Sequence, residues 1–258
     1  MKLDENVTRL ISAKASQVSK YTGRQLREAI LKSEGRVLMG QTYLKNPILF
    51  PNCTSTELMF AFGGDMVLLN GFDFQHPATC PGLQGFDYKE LKSLVGGRPV
   101  GIYLGCPGKD VDLENNAAMQ LYDLGGMVCS KENLEKCKEW GVSFIILGGN
   151  PGSGTSIRDV VYWTKKAREI CGEDMLIFAG KWEDGIVEKV LGDPLADYDA
   201  KEIIDQLIEN GADIIDFPAP GSRHGITVER IRELIEYTHR KGALAMGFLN
   251  SNVEAADR

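Results

Sequence analysis

A cadence repeated seven times constrains this chain more than any other feature. A short apolar run with glycine beside it gives way to a loop of Gly, Asn, Pro and Asp. It appears as VLMGQTYL from Val37, DMVLLNGFD from Asp65, PVGIYLGCPG from Pro99, VSFIILGGNPG from Val142, MLIFAGKWED from Met175, ADIIDFPAPG from Ala212 and ALAMGFLNSN from Ala243. Helix-length stretches lie between the runs. Strand and helix alternating at this spacing specify a parallel sheet of βα units, whose closed form, the (β/α)8 barrel, takes eight strands. Runs such as FIIL and DIID are unbroken rather than alternating, as in strands covered on both faces.

The expected architecture is therefore α/β, a (β/α)8-type barrel with seven visible strands and the eighth missing or truncated. A helical leader over residues 1–36 precedes a barrel over 37–258, and no linker divides the chain. Leader residues Leu10, Ile11, Val18, Tyr21, Leu26, Ile30 and Leu31 recur at helical spacing, with Gly23 as a break. Such a leader either covers the N-terminal mouth of a barrel or makes a dimer contact. Thr54-Ser55-Thr56-Glu57 offers N-caps for a short helix ending at Gly63-Gly64, and clean helices are expected over Ile157–Ile170, Ala200–Asn210 and Thr227–Arg240. Seven strands would leave an unpaired edge between the first and the last. An eighth strand beyond a shortened chain, a second copy in a homo-oligomer, or the leader helices would cover it. The tail Ser251–Arg258 reads as the opening turns of a further helix.

At 258 residues, 43% hydrophobic and 25% charged, the chain has the composition of a soluble globular protein with one continuous core. Its net charge of −7 argues against nucleic acid or an anionic membrane as a partner, while a local nest of amides still accommodates a small anionic metabolite. The six cysteines are scattered without a CxxC pair, and no apolar run reaches the length of a membrane span or a signal peptide. These features point to a cytoplasmic protein.

Barrel chemistry sits at the C-terminal ends of the strands. Those positions carry Gln41, Asn70 and Asp73, then Cys106, then the glycine loop Gly148, Gly149, Asn150, Pro151, Gly152, Ser153, Gly154 and Thr155 ahead of a helix. Unshielded backbone N–H groups beside a helix N-terminus form a cradle for phosphate or carboxylate, and the same residues also suit a tight βα turn. Lys181 ends the fifth strand. A lysine walled by apolar neighbours can form a Schiff base with a carbonyl, and it serves equally as a charge clamp. Asp216 and His224 are the proton-transfer candidates, with Arg223 as a further anion ligand. Asp73, Glu183 and Asp216 are carboxylates able to hold Mg²⁺ through oxygen, although no spacing rule joins them.

Gly211-Ala212-Asp213-Ile214-Ile215-Asp216-Phe217-Pro218 resembles the strand-six region of phosphate-binding TIM-barrel enzymes. That group includes the tryptophan synthase α-subunit and the ribulose-phosphate-binding barrels. In general character the chain also resembles barrels of unassigned function. The resemblance implies a TIM-barrel fold and a bias toward phosphorylated or carboxylated small substrates. Two departures limit it: the group's usual phosphate site uses loops after strands seven and eight, and the lysine-cysteine-glycine-histidine signature of phosphonomutase and isocitrate-lyase enzymes is absent. The leading expectation is an enzyme of lyase, aldolase or isomerase type acting on a small anionic metabolite. Metal-assisted hydrolysis or lysis of a phosphate ester, and a non-catalytic sensing or assembly barrel, are the alternatives.

Overall fold

The structure is a computed structural model and describes residues 4–112, 114–115, 125–149, 154–182, 189–222 and 224–248. After a 3-10 turn at Leu10–Ser12, the elements run α1 (Ala15–Val18), α2 (Gly23–Leu31), β1 (Met39–Tyr43), α3 (Ser55–Ala61), β2 (Met66–Asn70), α4 (Tyr88–Leu94), β3 (Val100–Gly105), α5 (Lys131–Glu139) and β4 (Phe144–Gly148). They continue with α6 (Ile157–Cys171), β5 (Leu176–Gly180), α7 (Ala200–Glu209), β6 (Ile214–Phe217), α8 (Val228–Arg240) and β7 (Leu244–Gly247). The seven strands form one sheet in the order of the chain, β1 to β7. They are parallel wherever their register is resolved, from Met39↔Met66 on β1 and β2 to Phe217↔Gly247 on β6 and β7. This is the βα order that the cadence anticipates. Strands β2 to β6 are buried along nearly their whole length, whereas β1 and β7, at the two ends of the order, are half-exposed.

Helix starts follow local chemistry. The Thr54 hydroxyl accepts the Glu57 amide at 3.1 Å while the Glu57 carboxylate accepts the Thr54 amide at 2.8 Å, a reciprocal capping box ahead of α3. Asp87 and Glu90 repeat it before α4, and Thr227 caps α8 through the Arg230 amide.

Packing divides the chain into two compact units. The first comprises Met1–Leu104, Asp123–Ile146 and Glu169–Leu176, and the second Gly105–Tyr122, Leu147–Arg168 and Ile177–Arg258. Within the first, Trp140 stacks on Phe74 with ring centres 5.6 Å apart, and Phe72 and Tyr88 complete the cluster. Gly101 on β3 has no Cβ because the Phe144 ring fills that space. The leader is tied down by Lys32, whose ammonium donates to the carbonyls of Asp4 and Val7 and pairs with Glu28. Within the second unit, Trp182 stacks on Phe248 with centres 4.7 Å apart, just past the ends of β5 and β7. No helix among the described residues is long and apolar enough to cross a membrane.

Candidate functional site

The second unit gathers several of the predicted residues at strand ends through a chain of hydrogen bonds. The Cys106 amide, just past β3, donates to the carbonyl of Gly148 at the end of β4 at 2.6 Å. The Thr155 hydroxyl, in the loop ahead of α6, donates to the Cys106 carbonyl. Lys181, one residue past β5, donates from Nζ to the Thr155 carbonyl at 2.7 Å. Lys181 is only 1% exposed, so its ammonium lies inside the protein with a backbone carbonyl as one partner. Glycines permit the close approach. A Cβ on Gly108 would meet the Gly154 carbonyl oxygen at 2.6 Å, and Gly154 itself sits at φ +62° against Val111.

Beside this network, Gly180 on β5 pairs with Asp216 on β6. A side chain on Gly180 would overlap the Asp216 backbone and Cβ, so glycine is what allows the two strands to meet there. Asp216 is fully buried, and neither carboxyl oxygen has a hydrogen-bond partner among the described residues. Burial holds its carboxyl well above the usual carboxylate range. Stranding a polar group in this way costs on the order of 1–3 kcal/mol, and groups of this kind concentrate at functional sites.

The helix N-terminus beyond Thr155 is already capped. Ser156 and Asp159 bond reciprocally, the Ser156 amide donating to the Asp159 carboxylate at 2.9 Å and the Asp159 amide to the Ser156 hydroxyl at 3.1 Å. Of the predicted cradle, Gly148, Gly149, Gly154 and Thr155 are described, and Asn150, Gly152 and Ser153 lie outside the described residues, as do Arg223 and Glu183. His224 is exposed in the turn before α8.

In the first unit, Gln41 is exposed on β1, opposite Leu68 of β2, and Asn70 ends β2. Asp73 is buried and satisfied by donors. Its Oδ1 accepts the amides of Gln75 and His76 at 2.8 and 2.9 Å, and its Oδ2 faces Lys45 Nζ and His76 Nδ1, each at 3.8 Å. Gly126 leaves room for that carboxylate, since a Cβ there would overlap Oδ1. No group of three His, Cys, Asp or Glu residues able to hold a metal occurs among the described residues.

Sequence reasoning missed Lys45 and Gly126 beside Asp73, and it missed the role of Cys106, whose contribution is its backbone. The Gly125-Gly126 pair is the one sequence signal that could have flagged a close approach.

The strand order defines an α/β protein of the TIM-barrel class. Within that class, the chain belongs to the family described as Domain of unknown function (DUF7916), whose model matches residues 11–258. Comparison with curated proteins finds no match. Among solved structures, the chain is similar to phosphonopyruvate hydrolase in complex with oxalate and Mg++, at 14% identity over 92% of this chain and 83% of that one, with a TM-score of 0.50. It is also similar to 2,3-dimethylmalate lyase, a PEP mutase/isocitrate lyase superfamily member, at 12% identity over 91% and 82% with a TM-score of 0.48. An archaeal fructose 1,6-bisphosphate aldolase follows at 13% identity over 79% and 71%, with a TM-score of 0.43. At such identities the likeness is one of fold.

Proposed function

We propose that the protein is an enzyme acting on a small phosphorylated or carboxylated metabolite by lyase, aldolase or isomerase chemistry. The observation that carries this reading is a lysine just past the end of β5 and an unpartnered carboxyl group on the adjacent strand β6, both buried. The three reaction types share an intermediate in which negative charge develops on an oxygen next to the reacting carbon. A buried ammonium stabilises that charge more strongly than water does, and a carboxyl group whose burial favours its protonated form can deliver a proton. In this reading Lys181 holds the substrate's carbonyl or carboxylate oxygen and Asp216 moves the proton. Gly148, Gly149, Gly154 and Thr155 shape the wall against which the anionic end rests. Oxalate in the phosphonopyruvate hydrolase structure is a ligand of the proposed chemical class on the same fold.

The described residues do not fit Mg²⁺. Asp73 is already engaged by two amides and faces an ammonium, and burial of Asp216 disfavours its ionised, metal-binding form.

Lysine can act in this chemistry as an ion or as a nucleophile, and reductive trapping separates the two. Incubation with pyruvate or dihydroxyacetone phosphate and borohydride, followed by peptide mass spectrometry, is expected to add the ligand's mass at Lys181 if its amine condenses with the carbonyl. An unmodified Lys181 across both probes removes the Schiff-base version and leaves the charge clamp.

A further inference from the structure

At the other end of β2 from Asn70, the first unit has an open cavity of about 240 Å³. Its walls come from the leader (Leu10, Ile11, Ala13, Ala15 and Val18), from Phe60 and Gly63-Gly64 at the end of α3, and from Asp65, Arg98 and Pro99, which precede β2 and β3. We propose that this cavity binds a small apolar α-amino acid. Its carboxylate would meet Arg98, its ammonium would meet Asp65, and its side chain would lie among Leu10, Val18 and Phe60.

Three observations support this. The Arg98 guanidinium is exposed, has no hydrogen-bond or ion-pair partner among the described residues, and lies over the face of Phe60, 5.1 Å from the ring centre. That contact holds the planar group in place and leaves its donors available for a carboxylate. Asp65 uses Oδ2 to accept the Leu38 amide at 2.9 Å, and its Oδ1 has no partner among the described residues. Arg98 and Asp65 line the same cavity without pairing with each other. An exposed cation and a half-buried anion on one rim, beside the buried side chains of Leu10, Val18 and Phe60, match a zwitterion with an apolar tail, whereas a simple carboxylate or amine satisfies only one of them. The volume falls below the roughly 300–1,000 Å³ of sites for drug-sized ligands, as suits an amino acid. The cavity borders the N-terminal ends of β2 and β3, whereas chemistry in this fold class occupies the opposite ends of the strands, so it is a separate binding site.

Isothermal titration of the full chain with L-leucine tests the proposal. Saturable binding is expected. The same titration with 4-methylpentanoate, which lacks the ammonium, and 3-methylbutan-1-amine, which lacks the carboxylate, is expected to show binding weaker by about tenfold or more for each. Arg98→Met keeps the apolar stem on Phe60, and Asp65→Asn keeps an oxygen for the Leu38 amide. Each is expected to weaken L-leucine by a similar factor without altering the melting temperature. Absence of saturable heat at millimolar L-leucine overturns the proposal. So does unchanged affinity in Arg98→Met, or equal affinity for the two half-ligands and L-leucine, an outcome that needs no variant to fold.

Discussion

Asp216 is the residue at which chemistry and stability pull apart. It lies within the otherwise apolar, fully buried run Ile214–Phe217. Because its folded-state value is raised, its contribution to stability is fully present below the ordinary value of 3.8 and is lost as pH rises toward the folded value. In that window the unfolded chain gives up the proton while the folded chain retains it, so ionisation favours unfolding. Asp216→Asn removes the titration. Urea unfolding is expected to show the variant and the wild type close in stability near pH 4. The variant should then gain about 1.4 kcal/mol for each pH unit above that, until the folded value is reached. A difference independent of pH would mean that Asp216 is ionised in the folded protein, and it would remove the proton donor from the proposed chemistry.

At the scale of elements, the GAD junction before β6 shows what its pattern is for. Gly211, at φ +103°, leaves the space that the Arg168 side chain of α6 occupies. Arg168 then donates to the Gly211 carbonyl at 2.7 Å and to Asp213 at 2.7 Å, and the same Asp213 oxygen accepts the Ile177 amide at 3.0 Å. The first acid of the motif therefore locks α6, β5 and β6 together, and the second, Asp216, is the one left without a partner. Arg168→Met is expected to cost about 2–3 kcal/mol, a fall in melting temperature of roughly 4–12 °C, because a partly buried carboxylate and a carbonyl lose their donors. A loss under about 1 kcal/mol would reduce the clamp to an ordinary surface pair.

The elements themselves were largely legible in the sequence. Each of the seven apolar runs contains a strand, since parallel strands covered on both faces need continuous hydrophobicity and the intervening helices carry caps such as Thr54 and Thr227. The site was legible only in its side chains. Lys181 and Asp216 stand out as charged residues at the ends of apolar runs. The bond from Lys181 to the Thr155 carbonyl, and that from Thr155 to the Cys106 carbonyl, leave no trace in sequence because every residue carries a carbonyl. The pairing of Lys45 with Asp73 across 28 positions was hidden for the same kind of reason: no spacing rule links residues on separate loops.

For the molecule as a whole, the net charge of −7 gives a small anion no help in approaching, so any affinity for one reports local groups. That makes anion binding the most direct test of the central claim, that Lys181 and Asp216 mark a site for small anionic substrates. Isothermal titration with oxalate, pyruvate and inorganic phosphate is expected to show saturable binding of at least one. Lys181→Met should weaken it by at least about tenfold, with a lowered melting temperature because the buried Thr155 carbonyl loses its donor, so binding is compared well below the melting temperature of the variant. No saturable binding of any of the three, or binding that Lys181→Met leaves intact, would contradict the claim.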